Sequence, residues 1–436
     1  MKKFAGQSII DKLSERFEAS KQELTSNSTI ADVRQKALNH LVENGLPHAK
    51  AEEYKFTNLT KALEKNISFE MNTERVSVSK EDVEKLRIEG LDAYYLTFIN
   101  GEFNSEFSDE VTESGISFSP LSAAIQENNQ LAGKLFDKLS KSTEDAFVAM
   151  NSLLANEGTV LEISANSEVS KPVFVQYINT KSSDIHAKNL IEVGANAKVT
   201  VIEKVDTLGA EPGFSNIVNE ISVATGANAK FYKIENDTDT SYHISNIHVS
   251  QDKDSTFTSN TVALNGAMVR NNLDIKLEAE GCEAYMNGLY LLNGKTHVDN
   301  HTIVDHMMPN AYSNELYKGI MDDKSRGVFN GKIFVRKDAQ KTNAFQSNKN
   351  ILLTDDATVN TKPQLEIWAD DVKCSHGCTT GQLDKDALFY LMARGIKKDR
   401  AMAMLLHAFA SDVIENLELE PIQAYVEAII TSRLEK

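Results

Sequence analysis

The chain has 436 residues, of which 41% are hydrophobic and 25% charged, with a formal net charge of −17 and a pI near 5.1. These values predict a globular protein of two or three domains with a large buried core. An acidic surface repels phosphate, so nucleic acid is excluded as an expected partner.

The same sequence predicts a cytoplasmic protein that makes no membrane contact. No apolar run is long enough to span a bilayer, and no apolar segment of a signal peptide follows the basic start. Three cysteines in a chain of this length suit a reducing compartment and argue against a disulfide framework.

The first 157 residues are predicted to be mostly helical. Apolar residues recur at spacings of three and four in SIIDKLSERFEAS and in TIADVRQKALNHLVENG, which ends at Gly45 before Pro47. The polar bridge AEEYKFTNLTKALEK leads into a further short helix, and the helical period returns from Leu121 to Leu154. We expect an N-terminal, mostly helical region over residues 1–157.

Residues 158–382 are predicted to form an all-β core. Short β-branched or aromatic runs such as VTVIEKV, AKFYKIE and LDIKLEA are bounded by Gly, Asn, Asp or Ser. They recur roughly every 11 to 18 residues, a spacing typical of successive strands. The sequence GANAKV at Gly194 returns as GANAKF at Gly226, and NGK occurs at Asn293 and Asn330.

These echoes favour a β-solenoid, in which equivalent positions lie above one another. Asn, Asp and Gly at the corners fit this fold because they tolerate left-handed backbone conformations. A large β-sandwich is the alternative, but it requires tight two-residue hairpin turns, and the links here are longer and more irregular.

Residues 383–436 are predicted to be a C-terminal helical domain. Asp384 is expected to cap the start of one helix and Gly395 its end, and Pro421 opens the last helix. The stretch KKDRAMAMLLHAFASDVIENL between them is amphipathic. Such helices could cover an end of the solenoid or dock a partner, and both interpretations stay open at this point.

Two motifs do not carry chemistry. GLYLLNGKT resembles a phosphate-binding loop, but five residues separate Gly288 from Gly294 where that loop requires four, so we predict a strand and a turn. In HVDNHTIVDH, a strand would place His297, Asp299 and His301 on one face and His306 on the other. We interpret these histidines as hydrogen-bonded structure rather than metal ligands.

The stretch DVKCSHGCTTG brings Cys374, His376 and Cys378 to alternate positions, so a strand would turn all three to one face. Alternate residues lie roughly 6.6 Å apart, whereas metal–ligand bonds are about 2.0 to 2.3 Å, so two neighbours can share a metal more easily than three. A zinc or iron–sulfur site needs about four ligands, which makes the motif an incomplete site. Simple burial of Cys374 and a Cys–His nucleophile pair are the alternatives, the latter without an orienting partner.

At these residues the chain resembles the SufB/SufD family of the SUF iron–sulfur cluster assembly system, and its SufD branch most closely. The resemblance is dense from about Asp299 to Ile396, through VFNGKIFVRKDAQKTNAFQSNKNILL and DVKCSHG, and weaker in GLPHAKAEEYKFTNL near the N-terminus. DVKCSHG is the SufD form. The chain is also shorter than a typical SufB and has no cysteine before Cys282, whereas SufB often carries an N-terminal cysteine cluster.

The resemblance implies a right-handed parallel β-helix between helical regions. It implies a scaffold subunit without catalytic activity that pairs with SufB through the β-helix ends. It also implies a SufC ATPase on the C-terminal helices, where ATP hydrolysis takes place. By position, Cys374 and His376 match SufD residues at the SufB interface, where a transient iron–sulfur cluster is assembled. The family usually has alanine at Cys378, to which we assign no role.

A function from another class is a cytoplasmic β-solenoid enzyme acting on a polysaccharide. Trp368 is the only tryptophan, and the sequence offers no obvious aromatic platform for a sugar. Neither the residues nor the resemblance decides whether a flavin binds to the complex or whether isolated chains form a homodimer.

Overall fold

The fold is given by a computed structural model that describes residues 5–24, 26–70, 77–180, 184–209 and 211–434. Two β-sheets stacked against each other form its centre, and helices lie on the outer face of each sheet. Within the described ranges, no helix is both long enough and apolar enough to cross a membrane.

The helices occupy the two ends of the chain. They are α1 (Gln7–Ala19), α2 (Lys21–Leu24), α3 (Ser28–Asn44), α4 (Leu59–Asn66), α5 (Lys80–Leu86), α6 (Leu121–Gln126), α7 (Gln130–Leu135), α8 (Ala146–Leu154), α9 (Lys385–Ala393), α10 (Lys398–Ile414) and α11 (Glu420–Leu434), with a 3₁₀ turn at Glu52–Tyr54. Asp384 accepts hydrogen bonds from the first turn of α9, as predicted, and Gly395 follows that helix with a positive φ of 86°.

The strands fill the middle of the chain. They are β1 (Tyr94–Ile99), β2 (Glu102–Phe103), β3 (Ile116–Pro120), β4 (Thr159–Ile163), β5 (Val173–Asn179), β6 (Asp184–Val193), β7 (Lys198–Thr207), β8 (Phe214–Val223), β9 (Asn228–Asn236), β10 (Tyr242–Gln251), β11 (Thr256–Asn265), β12 (Met268–Leu277), β13 (Glu283–Leu292), β14 (His297–His306), β15 (Tyr312–Met321), β16 (Arg326–Val335), β17 (Asn343–Leu352), β18 (Thr358–Ile367) and β19 (Lys373–Gly381).

From β4 onward, successive strands alternate between the two sheets, which confirms the predicted β-solenoid. Sheet A has the order β19-β17-β15-β13-β11-β9-β7-β5-β1-β2, and sheet B has the order β18-β16-β14-β12-β10-β8-β6-β4-β3. From β4 onward every pairing is parallel. A sandwich built from hairpins would instead pair neighbours antiparallel. Strands β1 to β3, which the sequence interpretation missed, extend both sheets at the N-terminal end.

One corner of the solenoid repeats a left-handed residue on every turn, as the Asn, Asp and Gly pattern predicted. These corner residues, with φ between 54° and 74°, are Asn166, Asn196, Gly226, Asp254, Gly281, Asn310 and Lys341. Each donates its backbone N–H to the carbonyl just before the corresponding corner of the next turn. The lysine departs from the residue preference, and the hydrogen bond to Asp371 accompanies its strained backbone.

The sequence echoes that suggested stacking do not occupy equivalent positions. In β7 and β9, which carry the ends of the two GANAK copies, Val201 lies opposite Phe231, so the copies are offset by two residues. The first NGK lies in the turn after β13, whereas the second lies within β16. The solenoid was therefore predicted correctly, but on corner chemistry rather than on true repeats.

The helices cover the faces of the solenoid and not its C-terminal end. Helices α10 and α11 bury Leu406, Val413 and Ile422 against outward-facing residues of sheet A, and α8 buries Phe147 against Phe214 of sheet B. The interpretation of the C-terminal helices as an end cover is therefore wrong. Strand β4 begins at Thr159 and β19 ends at Gly381, near the boundaries expected from sequence, but the division into three domains stays a prediction.

A short segment ties the N-terminal helices to sheet B. The 3₁₀ turn Glu52–Tyr54, here called the EEY clasp, lies across four strands of that sheet. Its contacts are the Tyr54 ring with the guanidinium of Arg270 on β12 (4.1 Å to the centroid), Glu53 with His301 on β14 (3.4 Å) and Lys332 on β16 (2.6 Å), and Glu52 with Lys362 on β18 (2.5 Å). The clasp thus reaches the last strand of the sheet.

Candidate functional site

Both sheets stop at the same end of the solenoid, and no further strand of the described chain pairs with the outer edge of either last strand. Strand β19 is hydrogen-bonded only to β17, and β18 only to β16. Residues along both strands are exposed or half-buried, in contrast to the buried strands behind them. An uncovered edge presents a row of unpaired backbone N–H and C=O groups, which is a template for pairing with another chain.

The motif CSHGC lies on the edge strand β19, as predicted. Its residues stand in parallel register with β17, with Cys374 opposite Ala344, His376 opposite Gln346, and Cys378 opposite Asn348. The three β17 residues are buried, and they alternate with exposed or half-buried neighbours. Because register partners share a face of the sheet, all three motif residues belong to the inner face, at the mouth of the tube.

The two cysteines of the motif have different surroundings. Cys374 is half-buried and packs against a cluster that contains Ile333, Val335 and Ala369, and burial raises the pKa of its thiol. Cys378 and His376 are exposed. All three cysteines of the chain are free thiols. Since a metal binds the thiolate, binding at Cys374 must release a proton from a thiol that resists ionisation.

The motif does not complete a metal site within this chain. In the part of the chain that the structure describes, no three His, Cys, Asp or Glu side chains are placed to hold one metal ion. Cys374 and His376 supply one sulfur and one nitrogen, about half of the usual ligand number. Any metal bound at the motif would therefore need further ligands from outside the described chain.

The tube behind the motif is filled by packed side chains. The Tyr290 hydroxyl lies against Asn350 and accepts a hydrogen bond from Asn348 Nδ2 at 3.0 Å. A Cβ atom on Gly319 would meet the Tyr290 ring at 2.2 Å, so glycine is needed there to admit the ring. The inner face of β19 is therefore accessible from the open end and not through the tube.

A further exposed feature on this end escaped the sequence interpretation. On the outer side of sheet B, Phe334 stacks on Trp368 with ring centroids 6.2 Å apart, and the Arg336 guanidinium lies 5.1 Å from each ring centroid. Trp368 is 49% exposed. The signal in the sequence is the single tryptophan, which directly follows the last strand of sheet B.

The remaining histidine-rich motif is structural, as predicted. On β14, His297 hydrogen-bonds with Thr57 at 2.8 Å, and His301 contacts Asp299 at 2.9 Å. His306 lies on the opposite face and hydrogen-bonds with Ser313. The segment GLYLLNGKT forms the end of β13 and a turn before β14, as predicted, and not a phosphate-binding loop.

The C-terminal helices carry a second exposed apolar surface. Helix α9 buries none of its side chains, and it projects Phe389 (73% exposed), Tyr390 (58%) and Met392 (43%). Met404 on α10 is 46% exposed. Large apolar side chains exposed together mark an interaction surface more often than chance. We call Phe389, Tyr390 and Met392 the α9 patch.

Two family descriptions together match almost the whole chain. Residues 176–409 match "SUF system FeS cluster assembly, SufBD core domain", and residues 7–175 match "SufBD protein N-terminal region". The first match spans the solenoid from β5 onward and ends within α10. It therefore includes the open end and the CSHGC motif.

Individual relatives agree with these matches. An iron–sulfur cluster assembly SufBD family protein of Synechocystis is 31% identical over 94% of this chain and 92% of its own length. The iron–sulfur cluster assembly protein SufD of Escherichia coli is 31% identical over 92% of each chain. SufD of Bacillus subtilis is 24% identical over 75% of this chain and 76% of its own length.

Proposed function

Because the chain belongs to the SufBD family of the SUF system for iron–sulfur cluster assembly, we propose that it is a non-catalytic scaffold subunit that pairs with a SufB-like chain. The observation that carries this proposal is the open end of the solenoid. The two sheets end there in the edge strands β18 and β19, and β19 carries Cys374 and His376, the proposed half-site for a soft metal. We place the complex in the cytoplasm.

The open end suits a partner that continues both sheets. Strand addition satisfies the exposed backbone groups of β18 and β19, while alternate side chains set specificity. A partner that docks there would face the inner side of β19 and could supply the ligands that Cys374 and His376 lack. One thiolate and one imidazole suit iron and sulfide, which are the cargo of the scaffold. A site shared by two chains also releases its cargo more easily than a closed site.

The C-terminal helices, from Asp384 to Leu434, are proposed to carry a SufC-like ATPase. The α9 patch supports this, because its exposed aromatic side chains are the kind that anchor a helix in a groove. ATP hydrolysis belongs to that partner, and we expect the isolated chain neither to bind nor to hydrolyse ATP. Isothermal calorimetry with the isolated chain checks this. Whether a flavin binds to the complex, or isolated chains form a homodimer, is left to experiment.

The polysaccharide enzyme receives no support from the comparisons. Both family descriptions and the three relatives named above concern the SufBD family or iron–sulfur cluster assembly. Co-purification separates the two functions, because a scaffold should bring down a SufB-like chain and an ATPase.

The half-site is tested in a strain that lacks this gene and expresses the variants in its place. His376→Ala and Cys374→Ser should leave the complex intact but abolish cluster assembly, seen as loss of iron and sulfide from the complex purified without oxygen. Cys378→Ala is the matched control on the same strand face and should behave as wild type. Full activity of His376→Ala would refute the shared site, and loss of the complex itself would give His376 a structural role.

A further inference from the structure

Behind His376 lies a row of polar side chains inside the tube. Glu315 on β15, Gln346 on β17 and His376 on β19 are register partners on three adjacent strands of sheet A. Adjacent strands lie about 4.8 Å apart, so side chains of one row stack directly on each other. Glu315 is 1% exposed and Gln346 is 3% exposed, whereas His376 is exposed at the mouth. Burying a polar group costs free energy unless the group forms hydrogen bonds, so the partners of these side chains have to be identified.

Glu315 and the opposite sheet fix the amide of Gln346. Gln346 Nε2 donates to Glu315 Oε2 at 2.7 Å. A Cβ atom on Gly331 of β16 would lie 2.2 Å from that nitrogen, so glycine leaves the space that the amide occupies. A carboxylate only accepts hydrogen bonds, and a protonated carboxyl still has an acceptor oxygen. The amide nitrogen is therefore directed to Glu315, and the amide oxygen is left over.

The amide oxygen of Gln346 has no partner. Gln346 Oε1 is buried and accepts no hydrogen bond from any residue that the structure describes. A buried acceptor without a donor costs roughly 1–3 kcal/mol. The next side chain of the row is the imidazole of His376, and no hydrogen bond joins it to another described residue. A buried acceptor without a partner thus lies one strand behind an exposed imidazole.

We propose that Gln346 is a positioning residue for His376. When a partner covers the open end and removes water from it, Gln346 Oε1 accepts the hydrogen of one ring nitrogen. This fixes the imidazole tautomer and leaves the other nitrogen for iron. Histidine ligands of metals almost always donate their second ring N–H to such an acceptor. Glu315 acts through Gln346 by holding its amide. The inference rests on the proposed half-site.

The test uses the complex purified with its SufB-like and SufC-like partners, titrated with Fe²⁺ alone in the absence of oxygen. Gln346→Met removes the acceptor at nearly constant length and should weaken Fe²⁺ binding roughly 10- to 100-fold. Cys378→Ala, on the same strand face but outside the row, is the control and should stay close to wild type. Complex yield and melting temperature are measured for each variant.

A double-mutant cycle separates positioning from structure. If Gln346 acts through His376, adding Gln346→Met to His376→Ala should cause no further loss of Fe²⁺ affinity. If Gln346→Met fails to fold, Glu315→Met with Gln346→Met removes both polar partners and keeps the packing. Wild-type affinity of the acceptor-free complex, together with a loss in His376→Ala, would overturn the inference and leave the half-site standing. Unchanged affinity of His376→Ala would instead refute the half-site.

Discussion

Glu315 is a carboxyl group enclosed by the tube, and this has a consequence for stability that is separate from metal binding. Burial raises its pKa from 4.5 to about 7, against the opposing effect of the hydrogen bond from Gln346. The folded protein therefore holds a proton that the unfolded chain releases between pH 4.5 and about 7. Stability from this group is fully present below pH 4.5 and is lost as the pH rises through about 7.

Glu315→Gln should remove this pH dependence. The rise in pKa from 4.5 to about 7 corresponds to about 3 kcal/mol, so the variant should gain up to this amount on wild type between pH 5 and pH 8. Urea denaturation of both proteins at several pH values measures the difference. Tyr317, the titratable side chain beside Glu315 on the inner face of β15, ionises far above this range because burial raises its pKa. A difference that does not change with pH would contradict the prediction.

The role of Glu315 could not be predicted from the sequence, although the motif on β19 could. The CSHGC motif could be recognised in the sequence by its residue types and by their alternate spacing. Any strand would turn alternate residues to the same face. Glu315 and Gln346 are ordinary polar residues until the register of three strands places them beneath His376. The register between strands that are distant in sequence depends on the lengths of the turns between them, and these lengths cannot be read reliably from a single sequence.

At the scale of elements, helix α9 is unusual because it forms without burying a side chain. Its N-cap at Asp384 and the glycine after its end define it locally, so it does not depend on packing for its ends. Phe389 at 73% exposure contributes little to folding stability. An aromatic residue so exposed is available to anchor a partner.

Phe389→Glu should therefore separate binding from folding. We expect a free energy of unfolding within about 0.5 kcal/mol of wild type. Loss of an aromatic anchor costs about 2 kcal/mol or more, so the affinity for the ATPase should fall roughly 30-fold or more. Pull-down and calorimetry with the SufC-like partner measure this. The matched control is Val42→Glu on α3, because Val42 is also an exposed apolar residue (51%) but lies in the N-terminal region, outside the C-terminal helices. This variant should bind the ATPase as wild type does. Normal binding by Phe389→Glu would move the docking site elsewhere.

Helices and strands were predicted well where the residues that define them are close together in sequence, and poorly where they are defined by contacts with distant residues. Helix α1 has a regular apolar period, helices α3 and α9 have N-cap side chains, and the sequence predicted all three. Strands β1 and β3 were missed because they lie among helices and pair with β5 and β4, which come much later in the chain. Strand β2 is only two residues long and pairs with β1. The EEY clasp was seen only as a polar bridge, since its partners are spread over β12 to β18.

At the scale of the whole molecule, the EEY clasp joins the N-terminal helices to the solenoid as far as its open end. Glu53 contacts His301 and Lys332, and these two partners lower its pKa from 4.5 to about 2 against the opposing effect of burial. Behind it, Asp299 is paired with Arg270 at 2.8 Å in a fully buried position. Glu52 forms a similar ion pair with Lys362 on β18, the next strand of the sheet after β16. Charge complementarity therefore fixes the position of the helices along the solenoid.

Glu53→Gln should loosen this connection in a pH-dependent way. A group whose pKa is lowered on folding stabilises the protein above its unfolded value of 4.5, and this contribution is lost as the pH falls towards about 2. Because Glu53 is 41% exposed, we expect a loss of only about 1 kcal/mol at pH 7, which should shrink as the pH falls below 4.5. Glu81→Gln, in an exposed ion pair on α5, is the control and should change stability little at any pH.

A second variant, Glu52→Gln, tests whether the clasp orders the open end. Lys362 lies in the middle of the edge strand β18, which has no other strand beyond it. If the clasp holds β18 in place, Glu52→Gln, which removes the partner of Lys362, should speed amide hydrogen exchange in Thr358–Ile367, while Phe214–Val223 in the buried strand β8 stays unchanged. Equal exchange of β18 in both proteins would show that the edge strand is ordered by β16 alone. The open end would then be independent of the N-terminal helices, and a partner would meet the same edge whether or not they are docked.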